Sequence, residues 1–229
     1  FAEKHQNKKM KLEKEQQKRL LQIIDLQSKN LLEQINQVLD AAKIEAGRFS
    51  INKTESNITD IIENAIEPFL PQAAKKQILI STDIYFPLPK VKIDPLRINQ
   101  VLNNLISNSL KFTPANGKIT ISAKPGNGVL TVAVSDNGMG ISENDQKDLF
   151  SKYYQIRTTP HELAKKGTGL GLYIIKGIVE AHSGSVGVIS KPGEGTTIYF
   201  TLPFEGGGPE VIQGHLPQNK LGSPSALVN

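Results

Sequence analysis

The chain has 229 residues, 38% hydrophobic and 21% charged, with no cysteine and no apolar run near the ~20 residues of a membrane span. That composition excludes a disulfide framework, a thiolate metal site and a cysteine nucleophile, and the four histidines (His5, His161, His182, His215) are too scattered for a metal pair at helical spacing. The net charge of +5 sits almost wholly in residues 1–19, where seven Lys/Arg face three Glu; with no stacking aromatics beside it, this stretch reads as a solvated helix face and no nucleic-acid partner is expected. Lacking an initiator Met and an apolar leader, the chain reads as a soluble piece of a longer protein.

From about Glu3 to Ala46 no Pro or Gly interrupts a run of Lys, Glu, Gln, Leu, Ile and Ala, and Gly47 ends it. Such a helix would reach roughly 65 Å, too long for one globular core. Leu20, Leu21, Ile24, Leu31, Ile35, Val38 and Ala42 form a wide apolar stripe along it, which predicts a homodimer through a helical bundle. Phe49-Ser50-Ile51 reads as a short strand. Asn57-Ile58-Thr59 opens an amphipathic helix through Ile61, Ile62, Ala65 and Leu70, Gln77–Tyr85 alternates like a strand, and Val91–Ile93 is another.

Asp94-Pro95 then starts a helix rich in apolar residues that ends near Lys111. Strands Lys118–Ala123 and Val129–Ser135 are joined by Pro125-Gly126-Asn127-Gly128, a hairpin signal. A glycine-broken stretch leads to a helix from about Leu170 to Ala181. Strands Ser185–Ser190 and Thr196–Leu202 close the pattern. The expected organisation is a dimerisation helix (1–47), an α+β sandwich (48–204) with one mixed sheet on one side and about three helices on the other, and a Gly/Pro-rich tail or linker (205–229).

Four blocks in fixed order carry the chemistry. Asn103, Asn104 and Asn108 interrupt an apolar helix where polar side chains are costly unless they bind something; Asn104 and Asn108 share a face, and amide oxygens suit Mg²⁺. Asp136-Asn137-Gly138-Met139-Gly140 follows a strand, placing a carboxylate able to accept from an exocyclic amine beside backbone that a ligand can approach. Gly167-Thr168-Gly169-Leu170-Gly171-Leu172 opens a helix whose N–H groups suit phosphate. It is neither the dinucleotide fingerprint nor a Walker loop. Gly193-Glu194-Gly195-Thr196 begins the last strand with a hydroxyl near that site.

Together these blocks resemble the catalytic ATP-binding domain of two-component sensor histidine kinases, within the Bergerat-fold superfamily of gyrase B, Hsp90 and MutL. DPLRINQVLNNLISNSLKFT is similar to the asparagine box, DNGMGI to the first glycine box, DLFSKYYQ to the phenylalanine box, GTGLGLYIIKGIVEAHSG to the second glycine box and GEGTTIYFTLP to the last. LLEQINQVLDAAKIEAGRFSI is similar to the second helix of the family's dimerisation domain. The resemblance implies ATP and Mg²⁺ as cofactors, with Asp136 on the adenine amine, Thr196 supporting through water, Asn108 on the metal, and Asn104 and Lys111 beside the phosphates or ribose. Gly138 and Gly140 would admit the nucleotide. Gly167, Gly169 and Gly171, with Thr168, Leu170 and Leu172, would shape the lid hinge and phosphate cradle. Residues 155–167, including Arg157 and Lys166, would form a lid, with Tyr154 of the Tyr153-Tyr154 pair beside it. The implied partner is a response regulator receiver domain, and the implied location is cytoplasmic, as the cytoplasmic part of a larger sensor.

The sequence departs from the family at the front: no string like H-E-L-R-T-P supplies the phosphoacceptor. His5 is the one candidate, but Gln6 follows it and no Pro comes soon after. Either the first dimerisation helix is missing from this piece, or the protein is a non-catalytic nucleotide-binding dimeric scaffold. A gyrase-like ATPase is disfavoured, because Asn104 stands where that group has the Glu that activates water, and an amide is no general base.

Overall fold

The computed structural model describes residues 2–156 and 168–204, with side chains from residue 15 onward except Leu26. Helix α1 (Ala2–Glu45) runs for 44 residues. It stops where Gly47 takes φ +64: Arg48 N donates to Lys43 O (2.9 Å) and Gly47 N to Ile44 O (3.0 Å), closing two of the orphan carbonyls of the last turn. Its apolar stripe is bare. Leu20, Leu21, Ile24, Leu31, Leu32, Ile35, Val38 and Leu39 are 48–61% exposed and lie within an arc of about 120° at 100° per residue. The opposite face is docked: Asp40 and Ala41 are buried, and Ile44 packs where Gly177 has no side chain, since a Cβ there would stand 2.5 Å from Ile44 Cδ1. Among the described residues no helix is long and apolar enough to cross a membrane.

The rest is an α/β sandwich. The sheet has five strands in the order β2-β4-β5-β7-β6: β2 (Leu79–Ile84), β4 (Lys118–Pro125), β5 (Val129–Asp136), β6 (Val186–Lys191) and β7 (Gly195–Pro203). It is mixed, with β2 parallel to β4 and every other pair antiparallel. Helices α2 (Ile58–Ile66), α4 (Pro95–Phe112) and α6 (Gly171–Ala181) cover one face, burying Ile62, Leu102, Ile106 and Ile175 against Ile121, Leu130, Val132 and Phe200. The other face pairs hydroxyls across strands, Ser81 with Thr120 (3.2 Å) and Thr197 with Ser135 (2.9 Å), as suits a sheet packed on one side.

Several expectations are corrected. Phe49-Ser50-Ile51 is not a strand; the strand is β1 (Thr54–Ser56), which pairs antiparallel with β3 (Val91–Ile93) in a separate two-stranded ribbon, so β3 does not join the sheet. The 49–52 segment is instead held by side chains, with Asn52 N donating to Asp94 Oδ2 (2.9 Å) and the Arg97 guanidinium 4.8 Å over the Phe49 ring. The helix expected through Leu70 breaks at Pro68, which has no N–H to give: α2 ends at Ile66, a 3-10 turn spans Glu67–Phe69, and α3 (Leu70–Lys75) follows. A short helix that the sequence did not announce, α5 (Glu143–Asp148), is capped by Ser142 Oγ accepting from Asp145 N (3.2 Å).

Candidate nucleotide site

The site forms where β5, β7 and α4 meet. Asp136 ends β5, opposite Ile119 of β4 and Thr196 of β7. Its Oδ1 accepts from Gly138 N (2.9 Å) and its Oδ2 from Ser109 Oγ (3.0 Å), so one oxygen is held by its own loop and the other by α4. Burial pushes the Asp136 carboxyl above its ordinary value, while the Gly138 N–H, the Ser109 hydroxyl and the Thr196 N–H pull it back. Thr196 thus bears on Asp136 through its backbone; its hydroxyl meets Ser190 Oγ at 2.9 Å. Ser190 also donates to Gly195 O (2.7 Å) and accepts from Ile141 N (2.8 Å), stitching both hairpin strands to the first glycine loop.

Helix α4 begins at a firm cap. Asp94 Oδ1 accepts from Leu96 N (3.1 Å) and Arg97 N (3.2 Å), and Pro95 fills the first position, where no N–H is needed. Asn104 and Asn108 are half-buried on this helix. Asn104 Oδ1 lies 3.8 Å from where a Cβ on Gly171 would stand, so the asparagine helix and the second glycine block are brought together. Lys111 Nζ sits 4.9 Å over the Phe112 ring. A groove of about 740 Å³ between α1 and α4 reaches this region, lined among others by Gln37, Asp40, Arg97, Asn103 and Asn104.

Gly138 and Gly140 lie in the loop after β5, Gly140 at φ +70. Gly169 and Gly171 flank the start of α6, but Leu170 is 1% exposed and Leu172 packs on the core, so these two leucines offer a ligand only their backbone. Thr168 faces elsewhere: its hydroxyl donates to Gln37 Oε1 of α1 (2.9 Å) and accepts from Leu170 N (3.3 Å). The Tyr154 hydroxyl donates to Asp145 Oδ1 (2.7 Å); with Ser142 as the larger cause, this lowers the Asp145 carboxyl. His5 lies within α1. Residues 157–167 of the expected lid, Arg157, Lys166 and Gly167 among them, lie outside the described residues, as does the 205–229 tail. Sequence reasoning missed Ser109, Ser190 and Gln37; a serine buried beside Asn108 was the one available signal.

Residues 93–206 match the family described as histidine kinase-, DNA gyrase B- and HSP90-like ATPase. The chain carries a domain of this family. It is 36% identical over 187 residues to the non-motile and phage-resistance protein of Caulobacter vibrioides, covering 80% of this chain and 22% of that protein. It is 32% identical over 198 residues to a sensor-like histidine kinase of Rhizobium meliloti, covering 86% of this chain and 38% of that one. The chain also resembles the crystal structure of full-length ShkA in complex with AMPPNP: TM-score 0.68 and 29% identity over 76% of this chain and 36% of the other. The chain therefore spans 22–38% of these proteins.

Proposed function

We propose that the chain is the ATP-binding portion of a two-component sensor histidine kinase, joined to the second helix of its dimerisation domain, and that it transfers the γ-phosphoryl of ATP to a histidine for relay to a response regulator. The observation that carries this is the convergence of Asp136, the α4 asparagines and the start of α6, with Asn104 facing Gly171. In this reading Asp136 accepts from the adenine amine, Asn104 and Lys111 lie beside the phosphates or ribose, and the backbone of 167–172 cradles the phosphates. Asn108 fits Mg²⁺ as a single hard oxygen donor on a helix with no competing acidic cage: among the described residues no group of three His, Cys, Asp or Glu converges on a metal-sized site. The ion, when bound, supplies charge neutralisation at the phosphates. What the protein supplies is orientation, on which phosphoryl transfer chiefly depends.

The same reading divides the chain at 47/48 and 204/205 and places it in the cytoplasmic part of a sensor. It makes the molecule a homodimer. A two-stranded pairing needs only a narrow seam, whereas an open arc of about 120° suits a helix with two neighbours, as in a four-helix bundle. His5, followed by Gln6, is not the acceptor, so the chain alone should not label itself.

Incubation with γ-labelled ATP tests the proposal. Acid-labile label is expected only when a two-helix domain bearing the acceptor histidine is supplied in trans. ATP binding with no label on any acceptor would instead support the non-catalytic scaffold. Absence of ATP binding would refute both.

A further inference from the structure

We infer that Ser109 is a specificity-determining positioning residue of the nucleotide site: its hydroxyl keeps the Asp136 carboxylate a hydrogen-bond acceptor and so favours a purine with an amino group at C6 over one with a carbonyl there. The inference rests on the proposed adenine contact of Asp136.

Ser109 is 6% exposed and sits on α4 directly after Asn108. A serine inside a helix ordinarily turns its hydroxyl back to the carbonyl four residues earlier. This one reaches 27 residues along the chain to Asp136 Oδ2 at 3.0 Å. The second fixed partner, Gly138 N at 2.9 Å from Oδ1, can only donate. The Thr196 N–H donates to this carboxylate as well, and a hydroxyl facing an ionised carboxylate also donates, so all three protein contacts of Asp136 demand an acceptor. An ionised carboxylate has about four lone-pair sites, and the one that remains for a ligand also accepts. A 6-amino purine offers the donor that such an oxygen needs; a 6-oxo purine opposes it with a second acceptor.

Burial works against this arrangement by favouring the protonated acid, which can donate to a 6-oxo group. Of the three contacts that oppose burial, two are backbone N–H groups (Gly138, Thr196), and Ser109 is the side chain. The charged groups on neighbouring elements are Arg97 and Lys111 on α4, Lys76, whose Nζ donates to Leu110 O (2.6 Å), Lys118 and Lys124 on β4, and the Lys191–Glu194 ion pair at the β6–β7 hairpin; none of them is among the causes that shift Asp136. Ser109 also ties the base-recognising carboxylate to the helix turn that carries Asn108, so base and metal positions are set by one element.

The test measures ATP and inosine triphosphate affinities of the whole chain by calorimetry from about pH 8 to about pH 5, for the unmodified protein, Ser109→Ala and Asp136→Asn. Ser109→Ala is expected to weaken ATP about tenfold at neutral pH and inosine triphosphate much less, shrinking the preference by about tenfold. It is also expected to move the acid loss of ATP affinity to higher pH, because the hydroxyl that holds the proton off is gone. A role confined to packing would move neither the purine ratio nor the pH midpoint. If Asp136→Asn weakens ATP while Ser109→Ala leaves ratio and midpoint unchanged, the Ser109 inference is overturned and the adenine contact stands. If Asp136→Asn leaves ATP affinity unchanged, the adenine contact itself is wrong. Ser109→Cys, which keeps the volume and weakens the donor, carries the same test should the alanine variant not fold.

Discussion

Removing Arg97 should destabilise the protein more than removing the aspartate it binds. Asp40 of α1 has a side chain only 8% exposed, and its Oδ2 accepts from Arg97 Nη1 at 2.8 Å and Gln100 Nε2 at 3.0 Å. Arg97→Ala leaves that carboxylate buried with one neutral donor. Breaking a buried pair this way costs ~3–5 kcal/mol, which the 28% exposure of the Arg97 side chain reduces here to about 2–3 kcal/mol. Asp40→Ala leaves a guanidinium that keeps Gln100 Oε1 (2.9 Å), the Phe49 ring and access to water, at a cost of about 1 kcal/mol. The double variant should therefore be more stable than Arg97→Ala alone, because it removes the orphaned charge. Urea denaturation followed by circular dichroism gives all three values. Equal costs for the two single variants, or a double variant at their sum, would refute the reasoning.

Gly195 takes φ +104, and a Cβ there would stand 2.0 Å from the Asp136 carbonyl oxygen, so Gly195→Ala should lose at least about 2 kcal/mol in thermal denaturation; an unchanged melting temperature would contradict the hairpin geometry. His182 is buried, with Nε2 accepting from Asp94 N (2.9 Å) and Nδ1 2.8 Å from Ile178 O, and burial holds its pKa below the ordinary 6.5. The unfolded chain takes up the proton first, so stability present above that ordinary value should fall as pH drops below it, and His182→Gln should flatten the slope; a parallel decline in both proteins rules out His182 as its source. Ile35→Asp places a charge in the middle of the bare α1 stripe and should yield monomers by light scattering at tens of micromolar, whereas a variant as dimeric as the unmodified chain would show that the stripe is not the seam.

Where a signal is local, it could be read from the chain alone. Asp94-Pro95 marks the start of α4 because its side chain and missing N–H act within one turn, and Asn104 and Asn108 share a face by helical period. The β4–β5 and β6–β7 hairpins, each with glycine in its turn, are legible in the same way, whereas the β5–β7 register that sets Asp136 opposite Thr196 joins strands that no hairpin connects. What could not be read depends on partners distant in sequence. Phe49-Ser50-Ile51 has the composition of a strand, yet the residue that follows it, Asn52, gives its N–H to Asp94, 42 residues further on. The three-residue strand β3 could extend the sheet or pair elsewhere, and only the position of β1 decides between them. Ser109 looks neutral in a helix until β5 is folded beside it. On α1 the apolar stripe was legible, but the docked face carries Gln37 and Asp40, which a helical pattern assigns to solvent.

The two faces of α1 answer to different neighbours, and this separates the predictions made for each. Ile35 lies on the bare arc, while Gln37, Asp40, Ala41 and Ile44 face Thr168, Arg97 and Gly177 from the opposite side. A charge at position 35 therefore removes no partner of the clasp, and the clasp variants touch nothing on the stripe. Sites without shared partners combine additively to about 0.3–0.5 kcal/mol. Ile35→Asp should accordingly change the oligomeric state without changing the difference between Arg97→Ala and Asp40→Ala. A difference that collapses in the Ile35→Asp background would mean that the docked face of α1 is held in place by the bundle, and that Arg97 and Asp40 meet only when the stripe is covered. Measuring the two clasp variants in that background by the same urea titration distinguishes these cases.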